Sequence, residues 1–298
     1  MIIRQLLYLD ALAREKHFRR AAEACHVSQP TLSAAIVQLE EELGVLIVER
    51  GRRFQGFTKE GEAVLARARR ILAEADLMKE EIAELREGIS GRIRLGAIPT
   101  ALPMIAHITA PFSERYPAVS LTVLSLTSQE IQEGIDNFEL DVGLTYLDNE
   151  PLGRVSAVPL YYEEYRLLTA ASGLLGDREE VTWAEVGAVP LCLLTPDMQN
   201  RRIIDDMLRR AGTEPAPMLE SNSVIVLFAH VRTSQWASIM PAKLAETLGL
   251  TDSVRAIPIV DPVARHAIGL VVPNRDQTTP LIKALVAEAR DVAVRLGA

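Results

Sequence analysis

Between Lys59 and Glu87 the apolar residues Val64, Ala68, Ile71, Ala75, Met78, Ile82 and Leu85 recur at steps of four, three, four, three, four and three. A strict seven-residue repeat of this kind fits one uninterrupted helix, about 40 Å long at a rise of about 1.5 Å per residue. Arg67, Arg69, Arg70, Glu74, Glu80, Glu81 and Glu84 take the flanks, so the apolar seam is narrow. A narrow seam between charged flanks suits a two-stranded dimer helix better than the core helix of a larger domain. The chain is thereby divided into a piece before the helix (1–58), the helix itself (59–90) and a large piece after it (91–298).

The first piece reads as short helices and a ribbon. Leu6, Leu9, Leu12 and Ala13 mark one helix, and "FRRAAEAC" a second, with Ala21 and Ala22 small enough for close packing. "HVS" then leads tightly into a third, which is the helix-turn-helix plan. Ser28 is the expected N-cap of that third helix, and Pro30 sits in its first turn, where a missing N–H costs nothing. Leu32, Ile36, Leu39 and Leu43 form its packed stripe. On the opposite face Gln29, Pro30, Ser33, Ala34, Val37 and Gln38 are small or neutral, and acidic residues begin only at Glu40.

Charge divides along the same line. The chain is −8 overall, yet residues 1–72 hold 12 Lys+Arg against 9 Asp+Glu, while residues 73–298 hold 20 against 31. A basic head on an acidic body fits one small part that meets phosphates and a larger part with another task. The two cysteines, Cys25 and Cys192, are far apart, which argues against a zinc knuckle or a disulfide framework. His17, His26, His107, His230 and His266 show no metal spacing, so no metal or other cofactor is expected. The charged N-terminus lacks a clean signal-peptide core and no segment approaches a membrane span, so a cytoplasmic protein is expected.

After "GISGRIRLG", strand-like and helix-like segments alternate: "RIRLGAI", "TALPMIAHITAPFSERY", "VSLTVLSL", "SQEIQEGIDNF" and "LDVGLTY". A second alternating set follows the extended "GRVSAVPLYYEEYRLLTA", and "RHAIGLVVP" leads to a closing helix from Thr279 to Leu296. Alternation of this kind implies parallel sheets with crossover helices. Two α/β lobes are expected, the first from about 91–161 and 267–298 and the second from about 162–266, with a cleft between them.

"FRRAAEACHVSQPTLSAAIVQLEEELGVLIVER" resembles the winged helix-turn-helix signature of LysR-type transcriptional regulators, and "FTKEGE" resembles the start of that family's linker helix. The resemblance runs the full length of the chain. It implies a winged helix-turn-helix, a long dimerising linker helix and a two-lobed domain like that of periplasmic binding proteins, which holds a small effector. It also implies a dimer, or a tetramer on DNA, that bends a dyad-symmetric site and recruits RNA polymerase. Many members carry Arg where this chain has Ala34, which removes one guanidinium from the DNA-facing set.

The neutral helix start then has a use. Amides and hydroxyls read base edges and methyl groups meet thymine, while long charged side chains serve phosphates. Ser28, Gln29, Pro30, Thr31, Ser33, Ala34 and Gln38 are the expected DNA-facing residues, with Arg50, Arg52 and Arg53 of the ribbon supplying charge. In the lobes, ligands sit beyond the carboxyl ends of strands. Such ends hold Pro99, Thr100, Thr127, Ser128, Gln129, Thr145, Thr195, Ser221 and Asn222, with Asn200, Arg201 and Arg202 opening a second-lobe helix. In the family, hydroxyls matching Thr100 and Ser128 commonly hold carboxylates; from its own place at the helix start, Arg201 is the expected added cation. Individually each Thr or Ser reads equally well as a helix cap. "GAIPTALP", "LDVGLTYLDNEPL" and "PLCLLTPDMQNRRIID" look like a family branch associated with control of formate dehydrogenase genes, which makes a small carboxylate the leading effector class. Cys192, inside an apolar strand, argues against thiol sensing. A solute-binding protein would leave the head unused, and an enzyme would need a triad, metal cluster or phosphate loop that the chain does not display.

Overall fold

A computed structural model of the chain describes residues 1–49, 51, 54–250, 252–274 and 278–296. It contains two compact units, Met1–Gly88 and Ile89–Ala298. Arg50, Arg52 and Arg53 lie outside the described residues, as does the side chain of Leu85.

The first unit comprises α1 (Ile3–Glu15), α2 (Phe18–Ala24), α3 (Gln29–Leu43) and α4 (Lys59–Glu87), with a short ribbon between α3 and α4. Ser28 caps α3, its hydroxyl accepting from the Thr31 amide at 3.3 Å, and Gly44 ends the helix at φ 69°. Leu32, Ile36 and Leu39 are buried, but Leu43 is 42% exposed because it falls on the last turn, beyond the reach of the neighbouring helices. The ribbon is the expected wing: Val48 bridges Phe57, and the Glu40 carboxylate accepts from the Ile47 and Val48 amides at 2.7 and 3.0 Å. Gly61 is required by close approach, since a Cβ there would stand 2.0 Å from the Ile47 carbonyl oxygen.

The first half of α4 belongs to the head. Leu65, Ala68 and Leu72 pack with Leu6, Leu9, Leu39 and Ile47, and Arg69 Nε donates to Asp10 Oδ1 of α1 at 2.9 Å. This corrects the predicted seam. Ala68 is 1% exposed and Val64 packs against the same core, so both are taken by the head's own interior. The open part of the seam starts at Ile71, and Ile71, Met78 and Ile82 are 39%, 57% and 52% exposed.

The second unit is built on an eight-stranded sheet of order β2-β1-β3-β10-β4-β9-β5, with β8 also on β4. Its elements run β1 (Gly91–Ala97), α5 (Leu102–Arg115), β2 (Val119–Ser125), α6 (Ser128–Asp136), β3 (Val142–Tyr146) and β4 (Val155–Ala170). They continue with β5 (Val181–Thr182), α7 (Trp183–Gly187), β6 (Cys192–Leu194), α8 (Gln199–Arg210), β7 (Leu219–Ser221) and α9 (Val224–Val231). The last are β8 (Ser238–Pro241), α10 (Ala242–Thr247), β9 (Val254–Val260), β10 (Arg265–Pro273) and α11 (Pro280–Leu296). β1 pairs in parallel with β2 and β3, and β6 with β7, as strands joined by crossover helices do.

β4 joins the two lobes. Val155–Glu164 pairs antiparallel with β10, and Tyr165–Ala170 pairs with β8 and β9. The β4–β10 register shifts between Ile268 and Gly269, a local bulge that increases twist where the strands cross between lobes. Among the described residues no helix is long and apolar enough to cross a membrane.

Candidate functional site

In the head, the start of α3 turns outward. Ser28, Gln29, Pro30, Thr31, Ala34, Val37 and Gln38 are exposed and Ser33 is half-buried. Two of these groups are partly committed: the Ser28 and Thr31 hydroxyls lie 2.8 Å apart, and Gln38 donates to Glu42 at 3.2 Å. Gln29 projects an amide from the first turn beside the bare surface of Pro30 and Ala34, which leaves polar and methyl groups together on one exposed ridge.

In the second unit a cavity of about 430 Å³ opens between the lobes. One wall is Ser128, Gln129 and Gln132 of α6 with Thr145 of β3; the other is Gln199 and Arg202 of α8, and Glu150, Pro151 and Leu152 close the side. Ile131, Ile135, Val155 and Val271 form an apolar floor. The hydroxyls of Thr100, Ser128, Thr145 and Thr195 are all buried without a hydrogen-bond partner. A buried hydroxyl ordinarily finds a partner, so four orphans in one unit call for an account.

The expected effector residues therefore divide. Ser128, Gln129 and Thr145 line the cavity, whereas Thr100 and Thr195 share the orphaned hydroxyl but lie outside that lining. Pro99 is buried and Asn222 is exposed, and neither reaches the cavity. Thr127 is a helix cap: its hydroxyl accepts from the Glu130 amide at 3.1 Å while Glu130 accepts from the Thr127 amide at 2.8 Å. Asn200 donates to the Tyr146 hydroxyl at 3.0 Å.

Arg201 is not the cation of the cleft. Its guanidinium is 6% exposed and donates to Asp205 at 2.7 Å, to Glu220 at 2.6 Å and to the Leu194 carbonyl at 2.7 Å. Arg202, about 100° further round the helix, faces the cavity instead. Nε and Nη2 of Arg202 donate to the two oxygens of Glu150 at 2.7 and 2.8 Å, and Nη1 donates to the carbonyls of Pro196 and Asp197 at 3.2 and 2.7 Å. The sequence held the signal: Arg201 shares its helix face with Ile204, Asp205 and Leu208, a buried stripe at three- and four-residue steps. Glu150 and Gln199 also escape the sequence reading, because they lie on a loop and at a helix start whose direction periodicity does not set, and Gln132 escapes although it lies one turn after Ser128 on α6.

Behind the cavity lies a buried polar network. Tyr146 donates to Glu163 at 2.6 Å and Tyr161 donates to its other oxygen at 3.4 Å, while Asn200 of α8 donates to Tyr146. Burial pushes the Glu163 carboxyl up to about 7, against the lowering effect of its tyrosine donors and with a further rise from the Asp148 charge. Burial likewise raises the Tyr146 phenol well above its ordinary value. His266 sits edge-on to Tyr146 and Tyr165 and lies 2.7 Å from the Asn149 amide nitrogen.

Cys192 is buried, and its thiol lies 3.7 Å from the Leu227 carbonyl that accepts from it; burial pushes the thiol up to about 11. Cys25 lies in the other unit. Among the described residues no cluster of His, Cys, Asp or Glu is arranged to hold a metal ion.

Residues 3–62 match the model of the bacterial regulatory helix-turn-helix proteins of the lysR family, and residues 86–294 match that of the LysR substrate binding domain. Among curated proteins the chain is similar to the DNA-binding transcriptional dual regulator OxyR of Escherichia coli K12, at 32% identity over 91% of this chain and 89% of that protein. Among solved structures it resembles a full-length OxyR cysteine-to-aspartate variant from Pseudomonas aeruginosa, with a TM-score of 0.78 at 25% identity over 98% of this chain and 94% of the other. It also shares the fold of full-length CbnR in complex with its target DNA, with a TM-score of 0.69 at 23% identity over 98% and 100% of the two chains.

Proposed function

The chain belongs to the LysR family of bacterial transcriptional regulators, and we propose that it reads a dyad-symmetric DNA site through α3 and senses a small carboxylate in its interlobe cavity. As a member it is a DNA-binding regulator with an effector-binding domain, not an enzyme. The finer reading rests on one observation above all: Thr145 and Ser128, whose hydroxyls are buried and partnerless, line a cavity that also holds an arginine and three glutamines. Hydroxyl donors, a guanidinium and the N-terminal amides of α6 and α8 together suit an anion of a few heavy atoms. The cavity's apolar floor suits a short carbon skeleton.

The relatives named for hydrogen peroxide favour a second reading, oxidation of a cysteine. Against it stands the chemistry of Cys192, the one cysteine of the effector unit: it is buried, and its thiol is held near 11, far from the thiolate that peroxide attacks. Calorimetric titration of acetate, oxalate, succinate and inorganic phosphate into the wild type and Thr145→Val tests the carboxylate reading. A bound carboxylate should lose about 1–3 kcal/mol in the variant. Equal affinity for both proteins would remove Thr145 from the site.

Self-association through the open seam follows from the exposed Ile71, Met78 and Ile82, and a two-fold dimer, paired into a tetramer on DNA, matches a two-fold site and offers RNA polymerase a fixed surface. Ile71→Asp sets a carboxylate into that apolar contact and should separate the subunits by light scattering. A variant that stays fully associated at low micromolar concentration would exclude the seam.

A further inference from the structure

Three contacts tie the start of α8 to the end of β3 and the loop after it. Gln199 donates to the Asp148 carbonyl at 3.1 Å, Asn200 to the Tyr146 hydroxyl at 3.0 Å, and Arg202 to both oxygens of Glu150. The first two are neutral hydrogen bonds. The third is a bidentate ion pair on the wall of the cavity itself.

We propose that Glu150 is an internal stand-in for the effector's carboxylate: it occupies the Arg202 guanidinium in the unliganded protein, and an anionic effector displaces it and releases that tie between the lobes.

Geometry and burial both favour exchange at this pair and not at its neighbour. The Arg202 and Glu150 side chains are each 38% exposed, so the released Glu150 carboxylate has water to turn to, and an ion pair at that exposure is weakly held. The Arg201–Asp205 pair, at 6% and 12% exposure, offers no such outlet. Arg202 would not be set adrift by the loss of Glu150, because the Pro196 and Asp197 carbonyls still hold Nη1. Its planar fork accepts any carboxylate in the same bidentate geometry. A second observation points a ligand to the same cavity: Thr145, 4% exposed and on the wall opposite Arg202, carries a hydroxyl with no partner. Glu150 thus sets specificity as well as state, since a neutral molecule cannot repay the broken pair.

The inference rests on the carboxylate reading of the cavity, and the test separates the two. Acetate, oxalate, succinate and inorganic phosphate are titrated into the full chain as wild type, Glu150→Gln, Arg202→Gln and the double variant, with Thr145→Val as the marker of the cavity. Removing the competing carboxylate raises the fraction of free Arg202, so Glu150→Gln should tighten the anion that the wild type binds by about tenfold. Arg202→Gln should weaken it, and the double variant should behave as Arg202→Gln alone, because the gain requires the guanidinium. Thermal unfolding of the unliganded proteins confirms that each variant folds, and Glu150→Ala replaces Glu150→Gln if that one does not. An anion whose binding is impaired by Thr145→Val but indifferent to Glu150→Gln and Arg202→Gln overturns the exchange and leaves the cavity reading standing. An anion bound by neither the wild type nor Glu150→Gln overturns both.

Discussion

The head and the effector unit each carry polar groups that the fold does not fully use, but they carry them in opposite ways. On α3, Gln29 and its neighbours stand in water, which satisfies them at no cost until another surface replaces it. In the cleft, the hydroxyls of Ser128 and Thr145 are cut off from water and left without partners, so they cost stability in the free protein. A surface that docks on DNA needs no strain in reserve, whereas a site whose occupancy must change the protein's state gains from one. On the proposed reading, binding gives the hydroxyls partners in the second case and exchanges one set of contacts for another in the first.

The largest effect should come from a residue that sits beside the cleft without belonging to it. Arg201→Ala takes from the mostly buried Asp205 its 2.7 Å partner, leaving Arg209 at 4.0 Å, and should destabilise the effector unit by about 3 kcal/mol, with guanidinium titration as the measurement. A near-neutral result would return Arg201 to the list of effector ligands.

Next in size is the pH response of Glu163. Its carboxyl is held near 7 in the folded protein against an ordinary value of 4.5, so the native state binds the proton more tightly than the unfolded chain. The stability it contributes is fully present below about 4.5 and is lost as pH rises through about 7, a change on the order of 3 kcal/mol. Glu163→Gln should flatten the melting temperature between pH 5 and pH 8 relative to the wild type. An unchanged pH profile would mean that the charge is compensated within the tyrosine network.

Smaller, and confined to function, is Gln29→Ala. The exposed amide contributes almost nothing to folding, so thermal stability should stay constant, while affinity for the specific DNA site should fall by about 1–3 kcal/mol with little change on random DNA. Equal losses on both DNAs in fluorescence anisotropy would make Gln29 a backbone contact. Smallest is the ligand-free counterpart in the cleft. Thr145→Val deletes an orphaned hydroxyl while keeping shape, and should leave the free protein unchanged or stabilise it by about 1 kcal/mol. Destabilisation instead would reveal a partner for Thr145 in the unliganded state.

Periodicity made the head and the long helix readable almost residue by residue, because caps and stripes act locally: Ser28, Pro30 and Gly44 each do what their chemistry dictates. The strand–helix alternation likewise yielded the two α/β lobes. What it did not yield was direction. Ala68 belongs to the same seven-residue repeat as Ile71, and only the packing of α1 assigns one inward and leaves the other open. β9 went unread because Pro258 interrupts its alternation; it is tolerated there near the sheet edge, beside the two-residue β5. Of the cleft residues expected at strand ends and helix starts, Ser128, Gln129 and Thr145 line the cavity, while Thr127 is claimed by its capping box and Arg201 by the buried face of α8. Glu150 was invisible, since its role comes from a partner 52 residues away.

The joint between α1 and α4 has a mechanical consequence. With Leu65, Ala68 and Leu72 locked into the head's interior and Arg69 bonded to Asp10, the long helix has no play where it meets the small helices. It acts as a crank handle welded to its hub. The free part of the helix, from about Ala73 to Glu87, is an arm of about 20 Å, so a displacement of about 3–4 Å at its far end corresponds to a swing of about 10°. A turn of the handle therefore re-aims α3 as one body with the head, and with it the face that we propose meets DNA.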